Sequence, residues 1–312
     1  MTDGEPAIRV EGLTRRFGDL VAVDHLTVSV APGELFGLVG PDGAGKTTTL
    51  RMLAGVLKPT AGDAIIHGVS VARDPEAVKP DLAYMSQRFG LYGDLTVLEN
   101  LRFYADLYQV PAAERAARLE RLFRFSNLEP FKDRLAGQLS GGMRQKLGLS
   151  CALIHRPKIL LLDEPTFGVD PISRRDLWLI VHDMVAQGVT TVVSTAYMDE
   201  AERFDRVALL DRGRMLTVDA PEALQRRLEG RVIMVRVARV REARDRVAGL
   251  PGVRRAAVFG DRLHVTVESG ERDGPAIEAA LRAAGLEVLE VRDVAPSMED
   301  VFIEHLAGAG AA

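Results

Sequence analysis

A glycine-rich loop early in the sequence has the residues and the spacing needed to bind a triphosphate. Residues 40–47 read Gly-Pro-Asp-Gly-Ala-Gly-Lys-Thr and fit the pattern G-x-x-x-x-G-K-[ST]. Glycines let the backbone wrap closely and point its N–H groups at anionic oxygens. Lys46 would bridge the β- and γ-phosphates, and the Thr47 hydroxyl would bind Mg²⁺. The predicted ATP contacts of this loop are Gly40, Pro41, Asp42, Gly43, Ala44, Gly45, Lys46, Thr47 and Thr48.

Two acidic residues follow a short apolar run and are candidates for metal binding and catalysis. Residues 159–162 read Ile-Leu-Leu-Leu and are followed directly by Asp163 and Glu164. This places the acids at the carboxyl end of a buried strand, where ligands bind in open α/β sheets. Asp163 would hold Mg²⁺ through water. Glu164 would be the catalytic residue that orients or deprotonates the attacking water.

The elements that must position these residues alternate between short apolar runs and helical patterns, which predicts an α/β fold. Residues 33–39 predict a buried strand that leads into the loop, and residues 47–54 predict the helix that follows it. Residues 159–162 and 189–193 predict two further buried strands. From about residue 95 to 156 the pattern is mostly helical, which predicts a helical insertion between strands.

A phosphate-binding loop by itself leaves kinases, GTPases, helicases and transporters open, and residues 139–145 narrow the choice. They read Leu-Ser-Gly-Gly-Met-Arg-Gln and resemble the LSGGQ or LSGGM signature of the nucleotide-binding subunits of ABC transporters, with matching motifs over about residues 8–220. The resemblance implies a P-loop NTPase fold that dimerises head to tail, with Ser140, Gly141 and Gly142 contacting ATP held by the partner. Independently, a serine and two backbone amides at a helix start form a second anion site.

Three further positions match the same family in the expected order. Phe17 stands where the family places an aromatic side chain that stacks on adenine, although aromatic residues also serve as ordinary packing. Gln87 resembles the family's glutamine that contacts Mg²⁺ or water at the hinge of the helical insertion. Gly168-Val169-Asp170 resembles the D-loop, which implies that Asp170 contacts the opposite subunit.

The sequence departs from the family pattern at Ala196. Family members read roughly Ser-Thr-His-x-Met-x-Glu-Ala-Glu here, whereas residues 194–202 read Ser-Thr-Ala-Tyr-Met-Asp-Glu-Ala-Glu. The family's histidine hydrogen-bonds the γ-phosphate, and losing one such donor costs about 3–4 kcal/mol, or about 10²–10³ in rate. Either the chain pairs with a different ATP-binding subunit, or it hydrolyses ATP slowly with Glu164 and Tyr197 compensating. The asymmetric pair is the favoured hypothesis.

The composition changes near residues 219–221, and the following sequence predicts a smaller α/β domain. From about residue 231 the pattern reads strand, helix, strand, strand, helix, strand, helix, as in a ferredoxin-like module. We therefore expect an ABC-type nucleotide-binding domain over residues 1–228 and an accessory or dimerisation domain over residues 229–312. Residues 296–302 resemble the tail of drug-exporter subunits of the daunorubicin-resistance type.

The charges of this second domain are divided between its two halves. Residues 231–262 contain nine arginines and three acids, and residues 263–312 contain ten acids and three arginines. The halves can pack on each other or on a second copy, or they can remain two solvated faces. The order of elements also fits an RNA-recognition fold, but only Phe259 and His264 could stack on bases, which disfavours RNA binding.

The overall composition predicts a cytoplasmic chain that works through partners. A formal net charge of −4 argues against a dedicated nucleic-acid binder, and the single cysteine, Cys151, suits a reducing compartment. We find neither a signal-peptide pattern nor an apolar run of about eighteen residues. We therefore expect a soluble chain, held at the inner face of the cell membrane by an integral membrane subunit.

The resemblance implies an ATPase coupled to the export of drugs or other hydrophobic small molecules, with ATP and Mg²⁺ as cofactors. The implied partners are an integral membrane transporter subunit and a second ATP-binding subunit, without nucleic acid. The alternative is a soluble ABC protein that acts on nucleic acid or ribosomes. Such proteins carry a long coiled coil or two ATP domains joined by a charged linker, and the sequence has neither pattern.

Overall fold

The computed structural model describes residues 5–87, 90–268 and 270–309. The chain divides between Val218 and Asp219 into two compact units, and each unit has its own hydrophobic core. Within the described ranges, none of the helices combines the length and the apolar character that a membrane crossing requires.

In the described part of the first unit, ten strands form two sheets. They are β1 (Ile8–Phe17), β2 (Leu20–Val30), β3 (Leu35–Val39), β4 (Ala61–Ile66), β5 (Val69–Ser70), β6 (Leu82–Met85), β7 (Ile159–Asp163), β8 (Thr190–Thr195), β9 (Arg206–Asp211) and β10 (Arg214–Asp219). The smaller sheet has the order β2-β1-β4-β5 and is antiparallel. The larger sheet has the order β10-β9-β3-β8-β7-β6.

The centre of the larger sheet is parallel and fully buried. Strand β3 pairs in parallel with β8 and β9, and β7 pairs in parallel with β6 and β8. Every residue of β3, β7 and β8 is buried, as expected where helices cover both faces of a parallel sheet. These strands confirm the buried strands predicted from the sequence. Because they run in the same direction, their carboxyl ends meet at one edge of the sheet.

Helices of the first unit complete the predicted α/β pattern. They are α1 (Lys46–Leu53), α2 (Pro75–Val78), α3 (Val97–Leu107), α4 (Ala112–Ser126), α5 (Gly141–Leu153) and α6 (Pro171–Ala186). Helices α3 to α5 lie between β6 and β7, in the stretch where we expected a helical insertion. Cys151 is buried in α5, and burial raises the pKa of its thiol well above the ordinary value.

The second unit has the predicted order of elements. After α7 (Pro221–Arg227) come β11 (Arg231–Val237), α8 (Val240–Val247), β12 (Val253–Phe259), β13 (Arg262–Val267), α9 (Gly270–Ala283), β14 (Val288–Val294) and α10 (Met298–Ala309). The sheet is antiparallel with the order β12-β13-β11-β14, as in ferredoxin-like modules. Helix α7, which we expected within the first domain, belongs to this unit.

The two oppositely charged halves of this unit pack on each other. Arg231 of β11 lies 2.8 Å from Asp293 of β14, and Arg255 of β12 lies 3.0 Å from Glu304 of α10. Strand β11 pairs along its length with β14, so the arginine-rich and acidic halves share one sheet. Ion pairs between the two halves therefore compensate charges inside the unit itself.

A buried carboxylate joins the last helix of this unit to its sheet. Asp300 of α10 accepts a hydrogen bond from Nδ1 of His264 at 3.0 Å, and from the Ser297 hydroxyl at 2.7 Å. Burial raises the pKa of Asp300, but the hydrogen bonds from His264 and Ser297 lower it by more, so the net pKa lies below its ordinary value. The ionised carboxylate thus stabilises the packing of α10 on β13.

We expect Asp300→Asn to lower the opening free energy of α10 and β13 by about 1–2 kcal/mol at neutral pH. A carboxyl with a depressed folded pKa stabilises the fold above its unfolded pKa, and this contribution is lost as the pH falls through the folded pKa. The difference between wild type and variant should therefore shrink below a pH of about 4. Native-state hydrogen exchange at neutral and acidic pH measures this difference in opening free energy.

The matched control is Asp293→Asn, which removes a partly exposed ion pair with Arg231 and should change the same protection by less than about 1 kcal/mol. A difference between wild type and Asp300→Asn that stays constant down to a pH of about 3 would contradict the assignment.

Candidate functional site

An open cleft of about 800 Å³ lies at the carboxyl edge of the parallel sheet. The cleft is lined by the glycine-rich loop, the turn between β1 and β2, the segments after β6 and β7, and the turn between β9 and β10. The lining residues are Phe17, Leu20, Val21, Ala22, Asp42, Gly43, Ala44, Gly45, Lys46, Thr47, Thr48, Gln87, Glu164, Phe167 and Arg212. Most of the predicted ATP contacts therefore share one cleft.

The glycine-rich loop is fixed by close packing at its last glycine. Gly45 has a φ of 97°, and a Cβ at this position would lie 2.5 Å from the carbonyl oxygen of Ala22. Only glycine fits both the left-handed backbone and the close approach. Helix α1 begins at the next residue, so its unpaired N–H groups lie at the loop. Loop amides and helix start together form a site for phosphate oxygens.

Lys46 is held inside this loop. The residue is 4% exposed, and its Nζ donates to the carbonyl oxygens of Gly40 at 2.7 Å and Pro41 at 3.0 Å. The same atom lies 3.2 Å from Oε1 of Glu164. Since charge-assisted hydrogen bonds to phosphate are stronger than those to carbonyls, the ammonium can exchange these contacts for nucleotide oxygens.

Asp163 is 1% exposed and connects the loop to the sheet. Its Oδ1 accepts from the Thr47 hydroxyl at 2.9 Å and from the Ser194 hydroxyl at 2.7 Å, and its Oδ2 accepts from the Tyr84 hydroxyl at 3.3 Å. Burial and the neighbouring Asp163 charge raise the pKa of Tyr84 to about 12, so this hydroxyl remains protonated as a donor. The structure thus brings the predicted Thr47 and Asp163 together.

Glu164 faces the cleft from a strained position. Its φ is 48°, and its backbone N–H donates to the Ser194 carbonyl at 3.1 Å and hydroxyl at 3.0 Å. A non-glycine residue in this region costs on the order of 1–3 kcal/mol, and such strain is concentrated at functional sites. Oε2 accepts from Nε2 of Gln87 at 3.0 Å, while Oε1 faces Lys46. Glu164, the predicted base, and Gln87, the predicted hinge glutamine, are therefore in direct contact.

Phe17 lines the cleft at the end of β1 and is 46% exposed. The guanidinium of Arg15 lies 4.5 Å from its ring centroid. The ring belongs to the wall of the cleft and not to the buried core, which a purely structural phenylalanine would occupy.

The signature and D-loop residues meet each other outside the cleft lining. The Ser140 hydroxyl caps α5 by accepting from the Met143 N–H at 3.3 Å, and Asp170 caps α6 by accepting from the Ser173 N–H at 3.0 Å. A Cβ at Gly142 would lie 2.2 Å from the Ser173 hydroxyl, so α5 and α6 touch here. Ser140, Gly141, Gly142 and Asp170 are not among the cleft residues of the described chain.

Ala196 lies beside the start of the glycine-rich loop. The carbonyl of the preceding Thr195 accepts from the Gly40 N–H at 3.2 Å. The ring of Tyr197 lies 4.7 Å from the Arg174 guanidinium and is absent from the cleft lining given above. In this arrangement Tyr197 does not replace a histidine at the cleft.

Glu200 is a buried residue behind the turn that carries Ala196, and sequence reasoning missed it. It is 0% exposed, and its carboxylate accepts four hydrogen bonds, from Thr166 (2.8 Å), Arg174 (2.8 Å), Trp178 (2.9 Å) and Thr195 (2.6 Å). One buried anion thereby ties the end of β8 to helix α6 and to the segment after Glu164. The sequence feature that could have pointed to Glu200 is its place in the Glu-Ala-Glu run after Ala196.

We expect Glu200→Gln to destabilise the first unit by about 3 kcal/mol, because it leaves Arg174 without its buried partner. Urea unfolding followed by fluorescence of Trp178, the single tryptophan, measures the change. The control Asp199→Asn removes the exposed partner of the same guanidinium and should cost less than about 1 kcal/mol. Equal losses in both variants would refute the special role of the buried carboxylate.

Comparisons with known proteins agree with this geometry. Residues 23–167 match the ABC transporter family, and residues 220–306 match the C-terminal domain of DrrA1-3-like ATP-binding proteins. The chain is 42% identical over 310 residues to the probable multidrug ABC transporter ATP-binding protein YbhF of Escherichia coli, covering 98% of this chain and 53% of YbhF. It is 34% identical to the daunorubicin resistance ATP-binding protein DrrA3 of Streptomyces coeruleorubidus, covering 97% and 96%.

Solved structures give the same result for the first unit. An ATP-binding subunit of an ABC transporter superposes with a TM-score of 0.65 at 31% identity, over 70% of this chain and 92% of that subunit. A dimeric post-hydrolysis state of the ATP-binding cassette MJ0796, bound to ADP and Pi, gives a TM-score of 0.62 at 25% identity, over 68% and 98%. Fold and site thus define a P-loop ATP-binding cassette. The chain belongs to the ABC transporter family, among its ATP-binding proteins, although it spans about half the length of YbhF.

Proposed function

We propose that this chain is the ATP-binding and ATP-hydrolysing subunit of an ABC exporter. The observation that carries the proposal is that Lys46, Thr47 and Glu164 line one cleft, with Lys46 3.2 Å from Glu164 and the buried Asp163 hydrogen-bonded to Thr47 directly behind the lining. The resemblance to YbhF, a probable multidrug ABC transporter ATP-binding protein, and to DrrA3, a daunorubicin resistance ATP-binding protein, supports drugs or other hydrophobic small molecules as cargo. Neither name refers to nucleic acid or ribosomes, which leaves the alternative of action on these without support.

The cleft residues suit a magnesium nucleotide. Lys46 and the loop amides would hold the β- and γ-phosphates, and the exposed Phe17 would stack on the base. Thr47 and Asp163 present a hydroxyl and a carboxylate 2.9 Å apart, and Gln87 adds an amide oxygen, which are the hard oxygen donors that Mg²⁺ prefers. Because Asp163 is already occupied by three hydroxyl donors, it would reach the ion through water. Bound Mg²⁺ would neutralise charge on the β- and γ-phosphates.

Glu164 is the residue we propose as general base. Its carboxylate lines the cleft, and its two oxygens contact Lys46 and Gln87. Once a γ-phosphate draws Lys46 away, Oε1 becomes available to accept a proton from water. Gln87 would then keep the carboxylate oriented for the attack.

A second ATP-binding subunit would complete the site. Ser140, Gly141, Gly142 and Asp170 lie together outside this chain's own cleft lining, as expected if they face a partner's nucleotide. A membrane-spanning subunit would be the third component. Exposed side chains of Tyr92, Phe103 and Leu107 lie between Gln87 and the end of α3, where an apolar partner surface would couple to the hinge and hold the chain at the inner face of the membrane.

We expect the full chain to bind ATP in a magnesium-dependent manner and Lys46→Ala to weaken binding on the order of 100-fold, because the buried ammonium is lost. Glu164→Gln should still bind ATP but lose hydrolysis. Titration calorimetry and steady-state ATPase assays measure these outcomes. The control Lys132→Ala removes an exposed lysine and should leave binding unchanged. Wild-type protein that shows no magnesium-dependent ATP binding would refute the proposal.

The missing histidine supports an asymmetric pair, in which this chain binds ATP and lends its intact signature to a different subunit. Ala196→His should restore a donor beside the glycine-rich loop and raise the ATPase rate of the isolated chain by about tenfold or more. Steady-state ATPase assays measure this, with Ala196→His in a Glu164→Gln background as the inactive control. An unchanged rate would show that the missing histidine does not limit hydrolysis. Brisk turnover by the wild-type chain without a second kind of subunit would contradict the asymmetric pair.

A further inference from the structure

The turn between β9 and β10 is anchored on the glycine-rich loop. The Gly213 N–H donates to the Ala44 carbonyl at 3.2 Å, and the Gly213 carbonyl accepts from the Asp24 N–H at 2.8 Å. Gly213 has a φ of 81°, and a Cβ there would lie 2.9 Å from the Ala22 carbonyl oxygen. The turn therefore has a fixed position relative to the loop that would hold phosphate.

Arg212 extends from this turn at the wall of the cleft. It lines the cleft, its side chain is 93% exposed, and its φ of 46° places the residue in the left-handed region. The ion pair recorded for it within the described chain is a long one, 3.8 Å from Asp211. Arg214, two residues later, instead bonds Asp24 at 3.0 Å. The charge of Arg214 is thus compensated by a close carboxylate, whereas Arg212 has only a distant one.

The charges of the cleft require a further cation. Within the described chain, the acidic and basic side chains that line it are those of Asp42, Lys46, Glu164 and Arg212. Lys46 lies 3.2 Å from Glu164, and the remaining charged side chains of the lining, Asp42 and Arg212, have opposite signs. Without Arg212 the lining would carry a net negative charge and repel a polyanionic nucleotide.

We propose that Arg212 is a nucleotide-binding residue whose guanidinium contacts the phosphates of the bound nucleotide. The inference rests on the proposed function of the cleft and adds a cation from outside the glycine-rich loop. A guanidinium offers a planar fork of donors that matches phosphate oxygens. Because the turn belongs to the same chain as the loop, Arg212 acts when nucleotide binds to one subunit, before any partner closes on it.

The test is nucleotide affinity of the full chain and three variants, measured by titration calorimetry with ATP and with ADP in the presence of Mg²⁺. Arg212→Ala should weaken binding by about tenfold, as expected for loss of an exposed charge-assisted hydrogen bond. Arg212→Lys should retain most of the affinity because it keeps the charge. Arg214→Ala, the matched control in the same turn, should stay within about twofold of wild type, since its guanidinium is engaged by Asp24.

Two further readouts separate a nucleotide contact from a fold effect. The affinity ratio between wild type and Arg212→Ala should fall as the salt concentration rises, because an exposed charge is screened. Unfolding midpoints of the wild type and Arg212→Ala should coincide, since Arg212 is almost fully exposed. Equal affinities of the two proteins overturn the role of Arg212 and leave the proposed function intact. Failure of the wild type to bind ATP overturns both.

Discussion

The first unit depends on one buried anion, the carboxylate of Asp163. Hydroxyl groups from Thr47, Ser194 and Tyr84 surround it, so it joins helix α1 to strands β8 and β6 across the edge of the sheet. Burying a carboxylate is costly unless hydrogen bonds compensate for the lost hydration, and here three donors do so. The same contacts fix the glycine-rich loop relative to the sheet. Correct burial of Asp163 and formation of the nucleotide site are therefore one structural event.

The three carboxylates of this edge have different environments and different consequences. Asp163 and Glu200 are fully buried and saturated with donors, so they act as fixed anchors. Glu164 is adjacent in sequence to Asp163, but its positive φ turns its side chain into the cleft beside Lys46. The backbone conformation of a single residue thus places one carboxylate at the cleft while its neighbour stays buried. Glu200 accepts a hydrogen bond from Thr195 and so fixes the turn that carries Ala196 in the place of the family's histidine.

The predicted nucleotide-binding residues fall into two groups, those at the cleft and those outside its lining. The glycine-rich loop, Glu164 and the turn that carries Arg212 belong to one cleft, whereas the signature glycine Gly142 lies close to Asp170 outside its lining. In the proposed function, this division would let nucleotide bind to one subunit first and would leave closure to a second subunit. The energy of ATP binding would then draw two subunits together, and hydrolysis would release them.

The sequence alone determined the chemistry and the order of elements, because these follow local rules: the glycine-rich loop, the acids after an apolar strand, the serine-glycine signature and the pattern of the second unit. Tertiary structure decided which distant groups meet. Thr47 and Asp163 are 116 residues apart, and Gln87 and Glu164 are 77 residues apart. No local sequence pattern predicts which side chains donate hydrogen bonds to Glu200, or that Arg212 lies at the cleft. Side-chain hydrogen bonds of this kind depend on the register and packing of strands far apart in sequence, which periodicity does not encode.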